Sequence, residues 1–123
     1  MSVILDTGAL IAVERHDQRM LALLDRVRNR GDRLLVGAGV LAQAWRGPRQ
    51  ARLARLLGSR DTEVVALDEL SARMVGSLLA RSGTSDVVDG HVAVMARQSA
   101  APVVTADADD LRRLDPGIEI FPL

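Results

Sequence analysis

A chain of 123 residues, 48% apolar and with 16 acidic and 16 basic side chains, holds material for one hydrophobic core and no net field to advertise a nucleic-acid partner. No cysteine is present, which excludes disulfides, thiolate zinc sites and cysteine nucleophiles; no lysine is present either, which disfavours P-loop, Schiff-base and receiver-type chemistry. Trp45 and Phe121 are the only aromatics, too few for a base-stacking platform.

Residues 2–5 (SVIL) read as a short buried strand that Asp6 ends, and Thr7–Gly8 turns the chain into an apolar helix over about 9–14. Asp17 caps a second helix, in which Met20, Leu21, Leu23, Leu24 and Val27 recur at helical spacing. Gly31–Asp32 breaks it, Leu34–Val36 form a second strand, and a helix through VLAQAW stops near Gly47–Pro48. A short arginine-rich helix over 49–57 is closed by Gly58, and Glu63–Leu67 is the third strand. Asp68 caps the helix that runs to about Arg81, and Ser85 or Asp86 caps the next. Pro102–Thr105 is a strand, Asp107–Asp110 opens a small helix, and a last strand lies around Ile118–Phe121.

Strands and helices alternate, and the strands are continuously apolar. That order predicts an α/β fold over residues 1–123: a single domain with a central, mostly parallel sheet flanked by helices. No charged-then-apolar leader opens the chain and no apolar run approaches a membrane span, so a cytoplasmic protein is expected.

Three carboxylates stand out. Asp6 follows the first strand, Asp107 lies two residues beyond the Val103–Thr105 run, and Asp89 sits in the first turn of the intervening helix, where the positive end of the dipole favours it. Ligands of open α/β sheets bind beyond the carboxyl ends of the strands, so the three are expected to converge there. Gathered together they repel, and a cation or raised pKa values must answer that repulsion. Oxygen donors without histidine or cysteine suit Mg²⁺ or Mn²⁺. A phosphodiester held at such an ion can be hydrolysed, which is nuclease chemistry.

These segments resemble the PIN-domain family, and within it the VapC-type toxin ribonucleases of bacterial toxin–antitoxin pairs. ILDTGALIA is similar to the family's first motif, VLAQAWRG to the second, and DGHVAVMA with VVTADADDL to the third and fourth, with Asp107 18 positions after Asp89. The resemblance covers essentially the whole chain. It implies a PIN-like fold, an endoribonuclease that uses Mg²⁺ or Mn²⁺ held by Asp6, Asp89 and Asp107, an RNA substrate, a cognate VapB-type antitoxin and a homodimer. One position departs from the pattern: where the second motif usually carries glutamate, this chain has Gln43, a neutral auxiliary in the site whose lack of charge predicts weaker divalent binding. Glu14 cannot replace it, lying about 12 Å along the helix axis beyond Asp6.

Thr7 and Thr105 are candidates to hydrogen-bond the ligand carboxylates, against simple turn chemistry. Asp86 reads first as a helix cap and second as a carboxylate supporting the site; Asp109 and Asp110 compete with Asp107 to cap the last helix. His91, two positions after Asp89, points away from it and is expected to be packed or solvent-facing, as is His16. Trp45 is a packing residue at the core's edge, and Leu53, Leu56 and Leu57 are core. Arg46, Arg49, Arg52 and Arg55 recur every third residue as a solvated face or, less well supported, a phosphate contact. Two other classes compete with the nuclease: a PIN-like module that grips RNA without cutting because of Gln43, and, remotely, a receiver-like signalling domain lacking its lysine.

Overall fold

The structure, a computed structural model, describes residues 1–123. Its elements are β1 (Ser2–Leu5), α1 (Thr7–Glu14), α2 (Gln18–Asn29), β2 (Arg33–Gly37), α3 (Ala38–Ala44), α4 (Ala51–Leu57), β3 (Thr62–Val65), α5 (Glu69–Ser82), α6 (Val87–Ser99), β4 (Val103–Thr105), α7 (Ala108–Leu114) and β5 (Ile120–Pro122). The five strands form one sheet in the order β3-β2-β1-β4-β5, and every pairing is parallel, not merely most of them. Helical crossovers connect strands that all run the same way, which is why the strands carry unbroken apolar runs.

Aspartates start the helices where expected. The carboxylates of Asp17, Asp68 and Asp86 each accept the backbone N–H three residues on, capping α2, α5 and α6. Helix α2 buries Met20, Leu24 and Val27, one face at helical spacing. Helix α4 has no such cap from its own Gln50. Instead Glu14 Oε2, at the end of α1, accepts the Leu53 N–H at 3.0 Å, so a residue 39 positions away in the chain caps it.

The core is a cluster of 25 buried residues, all aliphatic or methionine, with Ile4, Leu5, Leu10, Leu34, Val36, Val92 and Val103 among its fully buried members. Trp45 and Phe121 pack at its margin. Leu53 and Leu56 are buried, as expected of core leucines, and Leu57 is partly buried against them. His91 is buried against Gly37, which settles it as a packed histidine; His16 is exposed, in the left-handed region at φ +59°.

Element ends differ from expectation at the sheet margins. Strand β3 stops at Val65, two residues before Leu67, because it is an edge strand with Glu63 and Val64 exposed and no second neighbour to extend its pairing. Strand β5 is displaced to Ile120–Pro122, and its proline is tolerated at the open edge. Helix α1 begins at Thr7, directly after its Asp6 cap, rather than near residue 9. No helix is long and apolar enough to cross a membrane.

Candidate metal centre

Strand order sets the location. The chain runs outward from β1 through β2 to β3, then returns to β4 on the other side of β1 and goes on to β5. The order therefore reverses between β1 and β4, and crevices of open α/β sheets form at such a switch point beyond the strands' carboxyl ends. Asp6 follows β1 and Asp107 follows β4, one on each side of that point.

Asp6 is 3% exposed, and both of its oxygens are held. Oδ1 accepts the Thr7 backbone N–H at 2.8 Å, and Oδ2 accepts the Thr105 hydroxyl at 2.7 Å. Thr105, itself fully buried, accepts the Asp107 N–H on the same oxygen at 2.9 Å. One hydroxyl thus ties the end of β1 to the end of β4 and to the start of α7. The approach is close: a Cβ on Gly8 would stand 3.0 Å from the Ala106 Cβ, so a glycine in the first turn of α1 lets that helix meet the β4–α7 turn.

Asp107 occupies the N-cap position of α7 but makes no side-chain cap bond, unlike Asp17, Asp68 and Asp86. Its carboxylate is exposed and uncommitted. Asp89 is half-buried in the first turn of α6, and its backbone N–H is the one that Asp86 caps. Asp86 is therefore the helix cap, the first of its two sequence readings, and is also a charge beside Asp89. Thr7 Oγ1 reaches across to α3 and donates to Gln43 Oε1 at 2.6 Å, which places Gln43 on the exposed rim next to Asp6's neighbour. Thr105 donates to a candidate ligand carboxylate, as expected; the Thr7 hydroxyl does not, going instead to the neutral Gln43, and only the Thr7 backbone N–H reaches Asp6.

The electrostatics register how near these acids are to each other. Burial raises the pKa of Asp6, the hydrogen bonds from Thr105 and Thr7 oppose that, and the charges of Asp107 and Asp86 add to it. Asp89 is pushed up to about 6, by burial first and then by the charges of Asp86, Asp6, Asp107 and Asp110. None of these five acids has an arginine within ion-pair distance. The structure does not, however, bring three of the carboxylates close enough to grip one ion as they stand. The acids share one end of the sheet and sense one another's charge, but no three of them stand as a ligand set in this structure. The donor set fits a hard divalent cation: carboxylate oxygens only, mutually repelling, with no protein cation to neutralise them.

Sequence reasoning gave Asp110 only a capping role, yet its charge reaches Asp89. Its position in the first turn of α7 could have signalled this, since α7 begins at the same sheet edge. Glu14 lies outside the site, committed to α4. The arginine series does not form a stripe. All four are exposed, as a solvated set, but Arg46 and Arg49 precede α4 and only Arg52 and Arg55 lie on it; Arg46 also donates to the carbonyls of Ala42 and Trp45, and Arg52 to that of Glu14.

Comparison with known proteins agrees with this architecture. The PIN domain family matches residues 3–116. Ribonuclease VapC5 of Mycobacterium tuberculosis is 39% identical over 118 residues, 91% of this chain and 87% of that protein. Among solved structures, a chain of VapBC2 from Rickettsia felis, bound to a DNA fragment from their promoter, superposes with a TM-score of 0.72 at 16% identity, covering 100% of this chain and 99% of that one. VapBC-1 from nontypeable Haemophilus influenzae gives 0.69 at 19% identity, covering 99% and 98%; likenesses this distant speak for the fold alone. The chain belongs to the PIN-domain family, among its VapC-type ribonucleases.

Proposed function

We propose that residues 1–123 act as one endoribonuclease unit that hydrolyses RNA phosphodiester bonds with Mg²⁺ or Mn²⁺, the ion being held by Asp6, Asp89 and Asp107. The observation that carries this reading is the set of carboxylates at the β1/β4 switch point, mutually coupled and without an arginine partner. A divalent ion bound there stabilises the charge that builds on the phosphate during attack and makes water a better nucleophile.

The side chains divide the work. Asp6, buried and pinned on both oxygens, is the fixed reference of the site. Asp107, exposed and free of capping, is the adaptable donor. Asp89, with its pKa near 6, releases its proton close to neutrality and couples the site to pH. Thr105 orients Asp6 and Asp107 together, Thr7 holds Gln43, and Asp86 fixes the turn that carries Asp89.

As a VapC-type ribonuclease the protein is the toxin of a type II toxin–antitoxin pair, and by likeness to VapBC2 and VapBC-1 its partner is a cognate antitoxin of VapB type. A homodimer acting on cytoplasmic RNA completes the reading. The test is cleavage of RNA by purified protein with Mg²⁺ or Mn²⁺, with EDTA, and by a folded Asp6→Ala variant. Cleavage confined to the first sample is expected, and equal cleavage in all three overturns the reading. A shift in RNA mobility without strand scission, even in abundant Mn²⁺, would point instead to an RNA-gripping module.

A further inference from the structure

We propose that Gln43 is a substrate-binding residue rather than a metal ligand: Thr7 retains its amide oxygen, and its amide nitrogen is offered to a phosphate or ribose oxygen of the RNA at the scissile position. This rests on the nuclease reading above and sharpens it.

Three observations converge. The Thr7 hydroxyl donates to Gln43 Oε1 at 2.6 Å, while the other end of the amide, Nε2, bonds no group of the protein. Gln43 is exposed in the last turn of α3, so its free N–H groups face solvent on the rim of the site. No arginine pairs with Asp6, Asp86, Asp89, Asp107 or Asp110 to offset their charge toward a polyanionic substrate.

The field of those carboxylates orients the amide in the same sense. A primary amide is a dipole with its positive end at NH₂. Beside a cluster of negative charge the favoured arrangement puts its oxygen on a donor, here the Thr7 hydroxyl, and leaves its NH₂ free. One divalent ion among three carboxylates leaves a net negative charge, so loading the site does not reverse the preference. A polyanionic substrate entering such a site meets repulsion from any uncompensated acid. A neutral donor on the rim lowers that repulsion, whereas a carboxylate at the same position would raise it.

Metal and substrate binding are therefore expected to respond separately to changes at Gln43. Titration calorimetry with Mn²⁺, without RNA, reads the first; binding of a short single-stranded RNA of mixed sequence, and the split between KM and kcat for its cleavage in Mn²⁺, read the second. For Gln43→Ala the expected result is an Mn²⁺ affinity within about twofold of wild type, RNA affinity reduced by about tenfold, and the loss carried by KM. For Gln43→Glu, Mn²⁺ binding tightens while RNA binding weakens, a pair of opposite signs that general unfolding cannot produce. Thr7→Val frees the amide and gives a smaller loss of RNA affinity in the same direction. A Gln43→Ala protein that loses tenfold or more in Mn²⁺ affinity while keeping its RNA affinity overturns the proposal and leaves the nuclease intact. Wild-type protein that takes up no Mn²⁺ and cuts no RNA overturns the nuclease reading, and this role with it.

Discussion

Thr105 Oγ1 donates a 2.7 Å hydrogen bond to Asp6 Oδ2 across 99 positions of chain, and the same oxygen accepts the Asp107 N–H at 2.9 Å. A strand-end hydroxyl on β4 thereby holds the carboxylate at the end of β1 and sets where α7 begins. Removing it should affect stability and metal binding together. Thr105→Val leaves a buried Asp6 oxygen without its donor, for an expected loss of about 1–3 kcal/mol in chemical denaturation. Mn²⁺ affinity should fall by about 10–100-fold, as when a group supporting a metal ligand is lost. Thr105→Ser restores the hydroxyl and should recover most of the metal affinity. A serine variant as weak as the valine one would mean that packing, not the hydrogen bond, is what matters.

The pH dependence follows from Asp89, whose pKa is pushed up to about 6, and from Asp6, which is also raised. Below the ordinary carboxylate value near 3.8 both are protonated, folded or unfolded. Between about pH 4 and 6 the folded protein keeps protons that the unfolded chain has released, so ion-free stability declines as pH rises through this window. Divalent binding runs the opposite way, because the ion competes with those protons. Denaturation in EDTA should show the decline, and Mn²⁺ affinity should be about tenfold weaker near pH 5 than near pH 7. An Mn²⁺ affinity flat across that range would remove Asp89 from the site.

Glu14 offers a third check, because its carboxylate caps α4 through the Leu53 N–H while taking no part in the acid cluster. Glu14→Ala should reduce stability by about 1 kcal/mol, the usual effect of a lost helix cap, measured as a shift in the denaturation midpoint. Mn²⁺ affinity should stay at the wild-type value. A large drop in that affinity would place Glu14 in the site, against both the sequence reading and its contacts.

The uneven legibility of this chain has a physical basis. Apolar strand runs and aspartate caps are local signals, and they located β1, β2 and β4 and the starts of α2, α5 and α6. Asp6, Asp89 and Asp107 stood out because acids at strand and helix ends are expensive to gather without a cation. Pairings between distant segments leave no local trace. Nothing in LDTG or VLAQ announces that Thr7 and Gln43 meet over 36 positions, nor that Glu14 caps α4. The ends of β3 and β5 were misjudged because pairing at an open sheet edge, rather than side-chain pattern, decides where an edge strand stops.

Two glycines on packed helices should respond oppositely to the same substitution. On Gly90, one residue after Asp89, a Cβ would stand 2.8 Å from Val75 Cγ1 and 3.2 Å from Leu79 Cδ2, so α5 and α6 meet there with no room for a methyl group. Val75 is 2% exposed and enclosed by its neighbours, and cannot yield without repacking. Gly90→Ala should therefore destabilise by about 1–3 kcal/mol. It should also weaken Mn²⁺ binding, because the displaced turn carries Asp89. Gly76, on α5, has nothing within 4 Å of its would-be Cβ and is exposed. Gly76→Ala should stabilise by about 0.5–1 kcal/mol, through helix propensity and a less free unfolded chain. Urea midpoints of both variants decide the matter. A Gly90→Ala midpoint at or above wild type would mean that α5 and α6 do not cross at Gly90, and that the turn bearing Asp89 is held by something else.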